Sequence, residues 1–321
     1  LLKTFEVKYL IFQCSEEYTT PGTFYNPIFK EVNDYCTENN IDVTFYTGAY
    51  DIPYATVDGK VIPSGFRVIS LYRYFFTKYY PIFINQKVPT VEQDKYFYSL
   101  SNIPHLHRCM FVDYLHKYKL QDKSGFTWNR LQDEEYFHTD KYRFKYWEEK
   151  RVVDNKYENR GAETIPPVDY FKSVFEVVLE SSSEINFITE KTCRTITYGR
   201  PFILVGRKEL HNHLRDLGFM LFDNIIDYSF DEIEDLETRI DAICKELQRI
   251  TQTYTIEELK ELTATATKFN KEHILELSQQ ASTEYSQVVD KFPDIKYYLD
   301  AKEREIAYRN NTLIGSHNYL F

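Results

Sequence analysis

The sequence predicts an α/β protein whose two halves face a central cleft, followed by C-terminal helices. Three observations carry this. Short apolar runs alternate with segments of helical spacing, the pattern of parallel strands joined by crossover helices. A charged, aromatic stretch over Lys119 to Val168, with Trp128, Tyr136, Tyr142 and Trp147, separates two such series. Two long amphipathic segments then close the chain. The halves are assigned to residues 1–150 and 151–290, with a tail over 291–321 packing back on the body.

The elements follow in order. Val7 to Phe12 reads as a buried strand, and Pro21-Gly22 marks a turn after it. Pro27 to Asn39 has helical spacing through Ile28, Phe29, Val32 and Tyr35. Ile41 to Thr47 alternates as a strand, and Phe66 to Leu71 is another. Tyr96 to Leu100 is a strand that turns at Ser101-Asn102 into a helix over Pro104 to Tyr118. The 119–168 stretch is expected to be irregular. Phe175 to Leu179 resumes the rhythm as a strand. A short helix follows over Thr189 to Tyr198: Thr189 can cap it, Glu190 suits its first turn and Gly199 can end it. Pro201 to Val205 is a strand, Lys208 to Leu217 a helix closed by Gly218, and Phe219 to Phe222 a short strand. Asp231 to Ile250 and Ile256 to Gln280 are the two long helices.

Composition narrows the function classes. The net charge of −10 argues against a protein that grips a nucleic-acid backbone over a long footprint. Five cysteines, odd in number and without a CxxC pair, read as reduced, buried thiols of a cytoplasmic protein without a zinc site. No apolar run approaches the ~20 residues that span a bilayer, and no signal peptide is expected. The 28 tyrosines and 24 phenylalanines beside 10 glycines lean toward an AT-rich coding source, viral or microbial.

Several motifs are absent from the sequence: GxGxxG, the P-loop, HExxH, GxSxG and any Asp-x-Asp pair that would hold a metal on a diphosphate. Two constellations are present. In the first, Glu180 ends a strand and Glu190-Lys191 opens a helix ten residues later. A strand end facing a helix N-terminus is where an α/β sheet binds anions. The lysine can neutralise a diphosphate, and a carboxylate can hold vicinal hydroxyls. The same Glu-Lys pair also suits an ordinary salt-bridged surface helix. In the second constellation, Ser101-Asn102 precedes His105, His107 and Arg108, whose planar guanidinium suits a leaving diphosphate. An ordinary surface arginine beside two solvated histidines is the alternative there.

Together the two constellations make the chain resemble the α1,3-fucosyltransferases and their viral and bacterial relatives. Ser101 and Arg108 match a Ser-Asn turn with an arginine seven residues after the serine. Glu180 and Glu190, within Thr189-Glu190-Lys191, match a pair of glutamates ten residues apart. Pro201 to Gly206 matches the apolar strand that follows, and Tyr46-Thr47-Gly48 matches a further motif less closely. The resemblance covers roughly residues 40 to 225. It departs from the family at Ser181, where an asparagine is usual, and at Ala49, where the family places its catalytic glutamate.

The resemblance implies a GT-B-like fold of two Rossmann-like domains, with the first on the acceptor side and the second binding the nucleotide sugar. It implies a metal-independent, inverting glycosyltransferase that moves a sugar from a nucleoside-diphosphate sugar, its donor substrate, to a hydroxyl of a glycan or similar acceptor. No other cofactor is implied. Arg108, Lys191, Ser101, Asn102 and Thr189 would serve the diphosphate, Glu190 the ribose, and Glu180 would face the donor sugar. With Ala49 in place of the glutamate, Asp51, Glu16 or Glu17 would supply the base. Two rivals remain: a phage-type transferase acting on a hydroxymethylated DNA base, and a nucleotide-sugar-binding protein that has lost catalysis, a reading that Ala49 motivates.

Overall fold

The computed structural model describes residues 9–14, 34–36, 38–47, 56–57, 60–61, 66–70, 74–101, 104–128, 142–146, 164–184 and 187–291. The chain is α/β, and two parallel sheets are present. In the first, β1 (Tyr9–Cys14), β2 (Asp42–Thr47) and β5 (Phe66–Ser70) pair in the order β1-β2-β5. The short strands β3 (Thr56–Val57) and β4 (Lys60–Val61) form an antiparallel pair. The second sheet has four strands, β6 (Lys95–Ser101), β7 (Ser124–Trp128), β8 (Ser173–Leu179) and β9 (Phe202–Val205), in the order β7-β6-β8-β9. Every described pairing in it is parallel.

Helices cover both faces of this second sheet. On one lie α2 (Leu106–Lys117) and α6 (Leu236–Thr253), which pack together. On the other lie α1 (Tyr74–Ile84), α4 (Glu190–Thr197) and α7 (Ile256–Lys291), in mutual contact. Two short helices, α3 (Val168–Phe171) and α5 (Leu210–Asp216), are also present, and residues 34–36 and 38 are helical as well. With helices on both faces, the central strands need no solvent face. Every residue of β8 and β9 is buried. The core runs through Phe97, Phe111, Leu115, Val177, Ile203, Leu214, Ile240 and Leu259.

Several expectations are corrected. The 119–168 stretch is not irregular throughout, because β7 and the start of α3 lie in it. Phe219 to Phe222 forms no strand and instead packs Phe219, Leu221 and Phe222 into the core. The penultimate helix begins at Leu236 rather than near Asp231: the Asp235 carboxylate accepts from Thr238 N and fixes the start there. The last helix continues through Lys291, and the tail beyond it lies outside the described residues. The sheet also joins strands from both sides of residue 150, since β8 pairs with β6. Parallel pairing requires a crossover between partners, so strands distant in sequence can lie side by side. Arg108, on the helix that follows β6, and Glu180, just after β8, therefore sit at the same end of one sheet and do not oppose each other from two halves.

Within the aromatic stretch, the described residues 142–146 are held by the Asp113 carboxylate, and Lys145 also pairs with Glu237. Asp113 of α2 is fully buried and accepts from the Tyr142 hydroxyl at 2.8 Å, Lys145 N at 2.8 Å and Tyr146 N at 2.6 Å. Truncation to alanine strands the buried Tyr142 hydroxyl, at a cost of about 1–3 kcal/mol, and removes the acceptor of the part-buried Lys145 and Tyr146 amides. Asp113→Ala is expected to lower stability by about 2 kcal/mol or more and to speed chymotryptic cleavage at Tyr142 and Tyr146. Urea denaturation and limited proteolysis check both.

Candidate functional site

The order β7-β6-β8-β9 creates a switch point. From β6 the chain crosses through α2 toward β7; from β8 it crosses through α4 toward β9. Right-handed crossovers in opposite directions put α2 and α4 on opposite faces. The carboxyl ends of β6 and β8 thus lie side by side, flanked by two helix N-termini. That crevice is the ligand position of open α/β sheets.

Ser101 ends β6 and is buried. Its backbone N donates to Thr127 Oγ1 at 3.0 Å, while its own hydroxyl has no hydrogen-bond partner among the described residues. His105 precedes α2 without capping it by its side chain. Its ring stacks on that of His107, with centroids 5.9 Å apart. His107 and Arg108 are both buried and both donate to the Glu180 carbonyl, from Nε2 at 2.7 Å and Nη2 at 3.0 Å. A carbonyl only accepts, so His107 carries its proton on Nε2. Burial, and then the nearby Arg108 charge, hold His107 well below the usual histidine range. It is neutral at physiological pH.

Glu180 follows β8 and is fully buried. Its side chain lies on the same strand face as Glu176, and α4 covers that face. The Glu180 carboxylate accepts from Thr189 N at 3.2 Å and from the hydroxyls of Thr189 and Thr192. It thereby stabilises the positive end of α4. Burial still pushes its carboxyl above the usual range. The expectation that Glu180 faces a donor sugar is corrected: its carboxylate turns inward beneath the helix. Gly206 lies against it: a Cβ there would come within 2.8 Å of Leu210 Cδ2 and 3.4 Å of Glu180 Cβ.

Thr189 caps α4, as expected, accepting from Lys191 N. The Lys191 ammonium donates to Ser181 Oγ at 2.7 Å and Thr189 Oγ1 at 3.3 Å, and pairs with Glu190 at 3.3 Å. Glu190 and Lys191 are each partly exposed. Burial opposes the Glu190 charge, yet the Lys191 ammonium prevails and holds its carboxyl below the usual range. Gly199, at φ 68°, ends the helix as expected.

Ser101, Arg108, Glu180, Thr189, Glu190 and Lys191 are thus gathered at one end of one sheet. Asn102, Asp51, Glu16 and Glu17 lie outside the described residues. Sequence reasoning missed Thr192 and Glu176. Glu176, buried in mid-strand, meets Arg194 at 2.8 Å and accepts from the Tyr170 and Thr195 hydroxyls. The signal was present as a spacing: Glu176 and Glu180 share a strand face, and Thr189, Thr192 and Thr195 share a helix face.

Chemically, the crevice offers one partly exposed ammonium, a buried guanidinium, the Ser101 hydroxyl and two helix N-termini. All favour an anion. A separate polar cleft of ≈ 560 Å³ is lined by Asn212, Arg215, Asp223, Asp227, Arg249 and Tyr254, among others. Its arginines are already engaged, Arg215 with Asp223 and Arg249 with Glu246. Among the described residues no group of three or more His, Cys, Asp or Glu is arranged to hold a metal, and no helix is long and apolar enough to cross a membrane. No family model, curated protein or solved structure matches the chain.

Proposed function

We propose that the chain is a glycosyltransferase that uses a nucleoside-diphosphate sugar, and that the diphosphate lies in the crevice between the ends of β6 and β8. The observation that carries this reading is the convergence of Lys191, Arg108, Ser101 and two helix N-termini at the switch point of a parallel sheet. In this reading the four-stranded sheet belongs to the donor-side half of a GT-B-like pair. The three-stranded sheet belongs to the acceptor-side half.

The reaction is displacement at the anomeric carbon by an acceptor hydroxyl, with inversion. A carboxylate takes the hydroxyl proton as the new bond forms. The bond to the diphosphate breaks, and negative charge grows on the leaving oxygen. Lys191, placed at the mouth of the crevice, stabilises that charge. Arg108 and neutral His107 hold the Glu180 carbonyl, and with it the end of β8, in place. Partly exposed Glu190 is positioned for the ribose hydroxyls.

A thermal-shift screen with GDP, UDP, TDP and CMP sugars tests the reading. A ligand that binds only the native state raises the melting temperature by mass action. One of the diphosphate sugars is expected to raise it, and Lys191→Ala to abolish the rise. A flat response to all of them at millimolar concentration would contradict the proposal.

A further inference from the structure

We infer that Glu180 and Thr189 form a polar relay that fixes the position of the Lys191 ammonium, so that Glu180 acts as a positioning residue and not as a ligand contact. The inference rests on the anion-site reading above and adds to it how that site is held ready.

The direction of each hydrogen bond carries the inference. The Thr189 hydroxyl donates to the Glu180 carboxylate. Having spent its one proton there, Thr189 Oγ1 presents only lone pairs elsewhere. Those lone pairs face Lys191, accepting from its backbone N at 3.3 Å and from its ammonium at 3.3 Å. The Lys191 side chain leads back over the start of its own helix and is held there by Ser181 Oγ at 2.7 Å. Ser181 directly follows Glu180 in the chain. Two of the ammonium's three partners, Ser181 and Thr189, thus depend on one short segment at the end of β8, whose Glu180 carbonyl His107 and Arg108 also hold; the third is Glu190. A lysine side chain has four rotatable bonds and loses much entropy when fixed. Meeting that cost before the ligand arrives is preorganisation.

The arrangement separates two roles that sequence alone merges. Glu180 and Glu190 are both carboxylates near the same ammonium. Glu190 is partly exposed and pairs with Lys191 directly. Glu180 is fully buried and reaches it only through a hydroxyl. Thr192 gives an internal control, because it donates to the other oxygen of Glu180 without a bond to Lys191.

The test measures the acylation rate of Lys191 by mass spectrometry, with exposed Lys245 as the internal reference. Releasing the ammonium from one hydrogen bond should raise its reactivity. The expected rise is about tenfold in Thr189→Val and in Glu180→Gln, corresponding to about 1.4 kcal/mol for a hydrogen bond to a charged group. Glutamine nearly matches glutamate in shape, but its carbonyl oxygen must stay where Thr189 N and the Thr192 hydroxyl donate, so its amide nitrogen, a donor, faces the Thr189 hydroxyl. Thr189→Ser, which keeps the hydroxyl, should restore the wild-type rate. Thr192→Val should leave it unchanged. Calorimetric affinity for inorganic pyrophosphate should fall by about the same factor in the first two variants and recover in Thr189→Ser.

Unchanged Lys191 reactivity in folded Thr189→Val and Glu180→Gln would overturn the relay. So would an equal rise in Thr192→Val, which would mark general loosening of the helix. Failure of the wild-type protein to bind pyrophosphate would instead strike the anion-site reading, and the acylation ratios would still decide the relay.

Discussion

Lys191→Ala is expected to lower sugar transfer by about 10²–10³, the effect of removing one preorganised donor from a developing negative charge. Its effect on stability should be small. The side chain is partly exposed, its ion pair with Glu190 lies near the surface, and such pairs contribute about 0–1 kcal/mol. Activity and stability should therefore separate cleanly in this variant. Lys191→Arg keeps the charge but changes the reach and the shape of the donor, so partial recovery is expected. Initial rates of nucleoside diphosphate release, measured beside urea denaturation, would show the separation. A parallel loss of stability would mean that the lysine serves the fold.

The second large effect falls on stability. Glu176→Ala is expected to cost about 3–5 kcal/mol, because it leaves the Arg194 guanidinium buried beside an empty space. Tyr170 and Thr195 lose their shared acceptor in the same step. Since α4 rests on Glu176 at its middle and on Glu180 at its start, the site should loosen with the fold. A double variant, Glu176→Leu with Arg194→Leu, removes both charges together and should recover much of the loss, as hydrophobic replacement of buried pairs often does. Denaturation midpoints of Glu176→Leu, Arg194→Leu and the double variant form the cycle that measures the coupling.

These two residues also mark how far the sequence could be read. The buried strands were legible because parallel strands covered on both faces read as unbroken apolar runs, as in Phe202-Ile203-Leu204-Val205. Helix α4 was legible from its ends, Thr189 and Gly199, because capping is local chemistry. Strand β7 was missed because Ser124-Gly125-Phe126-Thr127-Trp128 is short and half polar. Its glycine is needed for a close approach, since a Cβ at Gly125 would lie 2.4 Å from the Tyr98 ring. Helix α1 went unmarked because Pro81 lies inside it.

The gathering of Ser101, Arg108, Glu180 and Lys191 at one end of a single sheet was not legible in the residues themselves. The reason for it, the strand order β7-β6-β8-β9, is non-local and has no short sequence signature. The inward turn of Glu180 was missed for a related reason. A carboxylate after an apolar strand reads as exposed unless the helix that covers it is known to carry Thr189 and Thr192 at matching positions.

The most direct measurement of the central claim is a titration of deuterated, ¹⁵N-labelled protein with GDP and UDP, followed by amide chemical shifts. Shifts concentrated at Ser101, His107, Arg108, Ser181, Thr189 and Lys191, saturating with one of the two nucleotides, are the predicted result. Shifts centred instead on the Arg215 and Arg249 cleft, or none at millimolar nucleotide, would contradict it.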